Sequence, residues 1–261
     1  WRSSSRPIRA DPVPGLAGHV RFVGRLAAIL ACLLGALALH GLWRLFRRPS
    51  PWPPRFLGAV AWLAGARVRV LGEPLKQNVL LLANHQSWLD ILTIAGASNS
   101  TFVAKGELQS TPLVGWLCRL NHTLFVERGD RLGVAAQVNS LRRALGGRPV
   151  TIFPEGTTGD GTAMLPFKAS LLAVADPPPP GLRIQPVVLD YGAATPEVGW
   201  IGGESGIHNA VRLVSRAGTI PVTIRFLEPF DSVGLGRKGI AAEARRWMEA
   251  AQAGSGGQSG V

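Results

Sequence analysis

The chain has 261 residues, of which 46% are hydrophobic, enough for a full α/β core with apolar residues to spare. It carries 28 basic against 16 acidic residues, a net charge of +12, and the lysines are only Lys76, Lys105, Lys168 and Lys238. An arginine-rich, apolar chain points to nucleic acid or to an anionic membrane surface. The single tyrosine, Tyr191, and the lack of any zinc-finger or RNA-stacking motif argue against nucleic acid. The two cysteines, Cys32 and Cys118, form no pairing pattern and read as reduced thiols. No CxxC or HExxH motif is present, so no metal site is expected.

In chain order, residues 1–20 carry Arg2, Arg6, Arg9 and several prolines and read as a flexible basic arm. Residues 21–66 read as a membrane-associated segment with apolar helices over about 26–46 and 56–66. The run LAAILACLLGALALHGLW (26–43) is free of formal charge, close to the ~20 residues that a bilayer span needs. A signal peptide is the rival reading, but Arg44, Arg47 and Arg48 after the run oppose it. PSPWPP (49–54) breaks the chain, and FLGAVAWLAGA (56–66) is too short to span. The pair can cross the bilayer or dip into one leaflet.

From residue 67 to 251 the texture changes to alternating strands and helices. RVRVLG, NVLLLA, TFVAK, HTLFVE, PVTIFP, RIQPVVL and IPVTIRFLEPF read as strands. DILTIAGA, TPLVGWLC, RLGVAAQVNSLRRAL and GRKGIAAEARRWMEAA read as helices. This alternation implies an α/β fold, a single mixed β-sheet flanked by helices. Residues 252–261 read as a disordered tail.

The polar residues concentrate at strand ends. NHQSWLD (84–90) follows the aliphatic run VLLLA. Five residues on a regular helix turn through about 140°, so His85 and Asp90 would diverge on one helix. They meet only if His85 sits in the turn and Asp90 rides the first turn of the helix, which Asn84 or Ser87 would cap. Such a pair suits general-base work, the acid fixing the ring tautomer. Spacing alone leaves open a histidine that merely caps a strand end. FPEGTTGDG (153–161) follows VTI as a tight turn able to bind anionic oxygens, with Glu155, Gly156 and Thr157 at its head. FVERGDR presents Arg128 and Arg131, suited to bidentate anion binding or to pairing with Glu127 and Asp130. Lys105 and Lys168 also follow apolar segments. No GxSxG, phosphate-binding glycine loop or dinucleotide fingerprint is present.

Taken together these blocks resemble the glycerolipid (1-acyl-sn-glycerol-3-phosphate, lysophospholipid) acyltransferase family over about residues 50–230. NHQSWLD matches the family's His-x4-Asp block, with His85 and Asp90 in the catalytic places. AKGEL and LFVER match the second block, with Arg128 in the phosphate-contacting place; FPEGT matches the third, with Glu155 and Gly156 as substrate-binding positions. LPFKAS with Lys168 follows, and IQPVVL matches the fourth block.

The resemblance implies transfer of an acyl group from an acyl-carrier-protein or acyl-CoA thioester to a lysolipid hydroxyl, with no cofactor beyond that co-substrate. His85 is the implied base and Asp90 its orienter; Arg128, Arg131, Lys105, Lys168, Glu155, Gly156 and Thr157 are the implied substrate contacts. An anionic membrane surface is the implied partner, and the inner membrane, catalytic domain facing the cytoplasm, the implied location. Many members that accept lysophosphatidic acid read Glu-Gly-Thr-Arg in the third block, whereas Thr158 stands here. Lysophosphatidic acid is the leading expected acceptor. Lyso-ornithine lipid or another non-phosphate lysolipid is the alternative, and a non-catalytic, anionic-lipid-binding membrane module is the competing class.

Overall fold

The computed structural model describes residues 15–47, 50–110, 112–126, 134–201 and 204–256. Two helices come first, α1 (Leu16–Leu45) and α2 (Trp52–Leu63), followed by strands β1 (Ala66–Leu71) and β2 (Val79–Ala83). Next are α3 (Trp88–Ser98), β3 (Thr101–Lys105), α4 (Pro112–Leu120), β4 (Leu124–Val126), α5 (Val134–Leu145) and β5 (Val150–Ile152). The chain continues through β6 (Arg183–Asp190), the short α6 (Thr195–Val198), α7 (Gly206–Ser215), β7 (Ile220–Phe226), β8 (Phe230–Asp231) and α8 (Gly236–Gly256).

The strands form one mixed sheet in the order β1-β7-β6-β2-β5-β3-β4, with β8 paired to β6. β2 lies parallel to both β5 and β6, while β7 and β8 run antiparallel to β6. The aliphatic run of β2 is buried on both faces, as a central parallel strand requires. Val79, Leu81 and Ala83 join one core cluster with Leu89 and Ile94 of α3 and Leu213 of α7. Leu80 and Leu82 point to the other face and pack with Leu141 and Leu145 of α5 and Ile240 and Ala244 of α8. The expected fold class is therefore what the chain adopts: helices cover a single mixed sheet on both faces.

Several boundaries differ from those read in the sequence. Residues 16–20 belong to α1, not to a flexible arm; residues 1–14 lie outside the described set. The reason is tertiary. Arg21 donates to the carbonyl of Ser215, and Arg25 donates to those of Val214, Arg216 and Gly218. These contacts place two cations at the carbonyl end of α7, where the helix dipole favours them. Burial, together with Arg21, Arg67 and Arg216 nearby, lowers the Arg25 guanidinium below its ordinary value.

α2 starts at Trp52 rather than 56, because Pro53 and Pro54 fall in its first turn, where a missing N–H costs nothing. Residues 252–256, expected in a disordered tail, continue α8, whose alanine-rich sequence sustains the helix. α7 was absent from the sequence-based reading.

α1 contains an 18-residue window of mean hydropathy 2.2, none of it buried, and is long and apolar enough to cross a membrane. Leu26, Leu30, Leu34 and Leu42 line its exposed side. α2 packs between α1 and α3.

α2 and α3 approach backbone to backbone at Gly58 and Gly96. A Cβ built on Gly96 would stand 2.7 Å from the Gly58 Cα. The contact fixes α3, the helix that carries Asp90. Gly96→Ala is expected to lower stability by about 1–3 kcal/mol through overpacking. Gly41→Ala, where a Cβ meets nothing within 4 Å, is expected to leave it unchanged. Thermal unfolding of both variants in the same detergent checks the contrast.

Candidate active site

Three adjacent parallel strands, β5, β2 and β6, end at one edge of the sheet. Their C-terminal ends deliver Phe153 to Glu155, Asn84 to Ser87, and Tyr191 to the same place. An open α/β sheet binds its ligand at such an edge.

His85 lies in the turn after β2, and Asp90 is the third residue of α3. The His85 Nδ1 donates to Asp90 Oδ2 at 2.9 Å. An ionised carboxylate only accepts, so the ring proton sits on Nδ1 and the Nε2 lone pair remains for a substrate proton. The His85 side chain is 15% exposed and that of Asp90 is fully buried. The geometry demanded by the five-residue spacing is the geometry found.

Asp90 has more than one task. Its Oδ2 also accepts from the backbone N–H of Gln86 at 2.6 Å and of Ser87 at 2.9 Å. Ser87 is the N-cap, its hydroxyl accepting from the Leu89 N–H, and Asp90 completes the capping box. The remaining oxygen, Oδ1, accepts from the Tyr191 hydroxyl. Asp90 therefore starts α3, closes the turn and orients the histidine together.

Phe153 stacks on the His85 ring, with centroids 3.9 Å apart and 15° between planes. The stacking fixes the imidazole plane that the Asp90 bond leaves free to tilt. Asn84 is held by reciprocal hydrogen bonds with the backbone of Leu189, which locks the end of β2 to β6.

Glu155 is 3% exposed. Its Oε1 accepts from the His85 backbone N–H and its Oε2 from that of Leu165, both at 2.8 Å. The carboxylate thus ties the FPEGT turn to the histidine turn and to the loop at 165. Each of its oxygens accepts from one backbone amide, which gives Glu155 a bridging place between the two turns. Burial raises the Glu155 carboxyl above its ordinary value, against the lowering effect of these two amides.

Gly156 has φ +68°, and a Cβ there would meet Lys168 Nζ at 3.0 Å. Glycine is thus required both by the left-handed backbone and by the lysine stem crossing it. Thr157 is exposed beside them. Thr158 donates its hydroxyl to the Trp200 carbonyl at 2.7 Å. Lys105 ends β3, its side chain lying outside the described set, as do Arg128 and Arg131 entirely. Among the described residues no three His, Cys, Asp or Glu side chains group to hold a metal ion.

Sequence reasoning missed Phe153 and Tyr191 as site residues. Trp88 donates its indole N–H to Asn209, tying α3 to α7.

Residues 67–190 match the family model for acyltransferases. The lyso-ornithine lipid O-acyltransferase of Rhizobium meliloti is 36% identical over 82% of this chain and 78% of its own length. This chain belongs to the lysolipid acyltransferase family. The enzyme is an O-acyltransferase by that membership. A Neisseria gonorrhoeae 1-acyl-sn-glycerol-3-phosphate acyltransferase is 35% identical over 64% of the chain and 56% of its own length. The crystal structure of the 1-acyl-sn-glycerophosphate acyltransferase of Thermotoga maritima superposes with a TM-score of 0.60 at 24% identity. It covers 89% of this chain and 98% of that one, and shows that the fold is shared.

Glu155→Gln keeps one acceptor but turns an amide donor toward the other backbone N–H. The acyltransferase variant is expected to lose about 1–3 kcal/mol of stability, the cost of an unsatisfied buried donor. Because the folded-state carboxyl sits above its ordinary value of 4.5, its contribution is full below that pH and fades as pH rises through the raised value. The stability gap between wild type and variant should narrow with rising pH, as urea unfolding at stepped pH would report.

Proposed function

We propose that this acyltransferase moves a fatty acyl group from an acyl-carrier-protein or acyl-CoA thioester to the free hydroxyl of lyso-ornithine lipid. His85 acts as general base and Asp90 orients it. The Nε2 of His85 takes the acceptor's hydroxyl proton as the oxygen attacks the thioester carbonyl. Collapse of the tetrahedral adduct breaks the C–S bond, and the imidazolium returns the proton to the departing thiolate. No acyl-enzyme and no cofactor are needed. The Nδ1 bond to buried Asp90 supports this reading, since it holds the proton away from the reacting nitrogen and stabilises the transient imidazolium.

The acceptor assignment rests on Thr158. Where phosphate-accepting relatives of the resemblance carry arginine, this side chain is neutral and its hydroxyl is engaged by the Trp200 carbonyl. The long match to the Rhizobium meliloti lyso-ornithine lipid enzyme agrees with it. Lysophosphatidic acid, the acceptor first expected from the sequence, keeps one supporting feature, the Lys168 ammonium close against Gly156. Lys168, Gly156 and Thr157 are the proposed substrate-contacting edge, with Arg128, Arg131 and Lys105 as further proposed anion contacts. Glu155 serves substrate binding through the loops it joins.

The apolar outer side of α1 is proposed to sit in the inner membrane, with the catalytic domain on the cytoplasmic face. Both ends of α1 are tied to the folded part, through Arg21 and Arg25 and through the His40 bond to Ser50. That tethering favours insertion into one leaflet over a free-standing span. The surplus positive charge attracts anionic lipid and an acidic carrier protein.

His85→Ala is expected to lower thiol release from acyl thioester plus lyso-ornithine lipid by about 10²–10⁴-fold, the usual worth of a general base. Normal turnover in that variant would overturn the assignment of the base. In an acceptor panel, wild type should prefer lyso-ornithine lipid to lysophosphatidic acid, and Thr158→Arg should shift the ratio of kcat/KM toward the phosphomonoester. A wild type that prefers lysophosphatidic acid would reverse the acceptor assignment.

A further inference from the structure

We infer that Tyr191 is a positioning residue for the acyl-transfer base, acting through Asp90 as the third member of a Tyr191–Asp90–His85 relay of hydrogen bonds. The inference rests on the reading of His85 as general base. The Tyr191 hydroxyl donates to Asp90 Oδ1, the oxygen that His85 does not use. The ring is fully buried in the core cluster that holds α3 and β6. The hydroxyl is thus carried on a rigid support, at the end of the strand parallel to β2.

Two consequences follow from this placement. The bond fixes the carboxylate plane, so that Oδ2 faces the imidazole. It also draws electron density from Asp90, which tempers how strongly the carboxylate holds the proton of an imidazolium. Burial, then the adjacent Asp90 charge and its hydrogen bond, push the Tyr191 phenol well above its ordinary value, so it remains a donor throughout the working pH range. Among the described residues, the titratable side chains facing Asp90 are His85 from the turn after β2, Tyr191 from the end of β6 and Glu155 from the turn after β5. Glu155 is common to every variant compared below and its contribution cancels.

Removing the hydroxyl makes Asp90 the stronger proton acceptor, so His85 stays protonated to higher pH. Strengthening the donor does the reverse. Tyr191 is the only tyrosine in the chain, so growth on 3-fluorotyrosine alters this one phenol, making it more acidic and giving it a ¹⁹F label. In kcat/KM against pH, Tyr191→Phe should displace the acid limb upward by about half a pH unit. The fluorotyrosine enzyme should displace it downward. At neutral pH Tyr191→Phe should lower kcat about tenfold while the acceptor KM stays within about twofold. A generic packing defect would not move the two limbs in opposite directions. Coincident limbs in an active wild-type background would overturn the inference while leaving the acyltransferase reading intact.

The ¹⁹F resonance supplies a readout that needs no activity and does not depend on the folding of Tyr191→Phe. It should titrate with pH in the labelled protein and lose that titration in His85→Ala. A resonance that is indifferent to pH, or that titrates equally without His85, would overturn the relay.

Discussion

The Asp90 carboxylate is the constraint on which the site depends. It is fully buried, and removing an ion of this kind from water costs several kcal/mol after relaxation. A hydrogen bond to a charged group returns only about 1.5–3 kcal/mol, so one donor does not offset the burial. Asp90 has four: the His85 ring, the amides of Gln86 and Ser87, and the Tyr191 hydroxyl. Each comes from a different structural requirement, and together they determine where the turn, the helix start and the histidine must lie.

The sheet topology explains how those donors converge. Because β5, β2 and β6 are neighbours running the same way, their C-terminal turns share one edge. The turn after β2 brings the histidine, the turn after β5 brings the ring that stacks on it and Glu155, and the end of β6 brings the tyrosine. Glu155 then joins two of these turns through backbone amides, and Asn84 joins β2 to β6. The polar residues of the candidate site are thus carried on short loops, held in place by strands buried on both faces.

The N-terminal helices extend the same logic to the surroundings of the site. α2 presses on α3 at two glycines that allow the backbones to touch, and α1 is fastened to α7 by arginine–carbonyl bonds. α7 in turn receives the Trp88 indole bond from α3. The apolar helix and the turn that carries His85 are therefore parts of one packed unit.

The sequence by itself determined the alternation of strands and helices, the aliphatic run of β2, and the requirement that His85 precede a helix whose first turn holds Asp90. These are local properties: hydrophobic period, turn chemistry and a spacing that admits one arrangement. Only the tertiary structure decided that Tyr191 completes the donor set of Asp90, 101 residues away, that Phe153 stacks on His85, and that Glu155 spends both oxygens on backbone. It likewise decided that Arg21 and Arg25 bond the carbonyls at the end of α7. Those outcomes depend on strand order and parallel direction, which pair residues far apart in the chain, and no local pattern encodes which buried donor will meet a given buried charge.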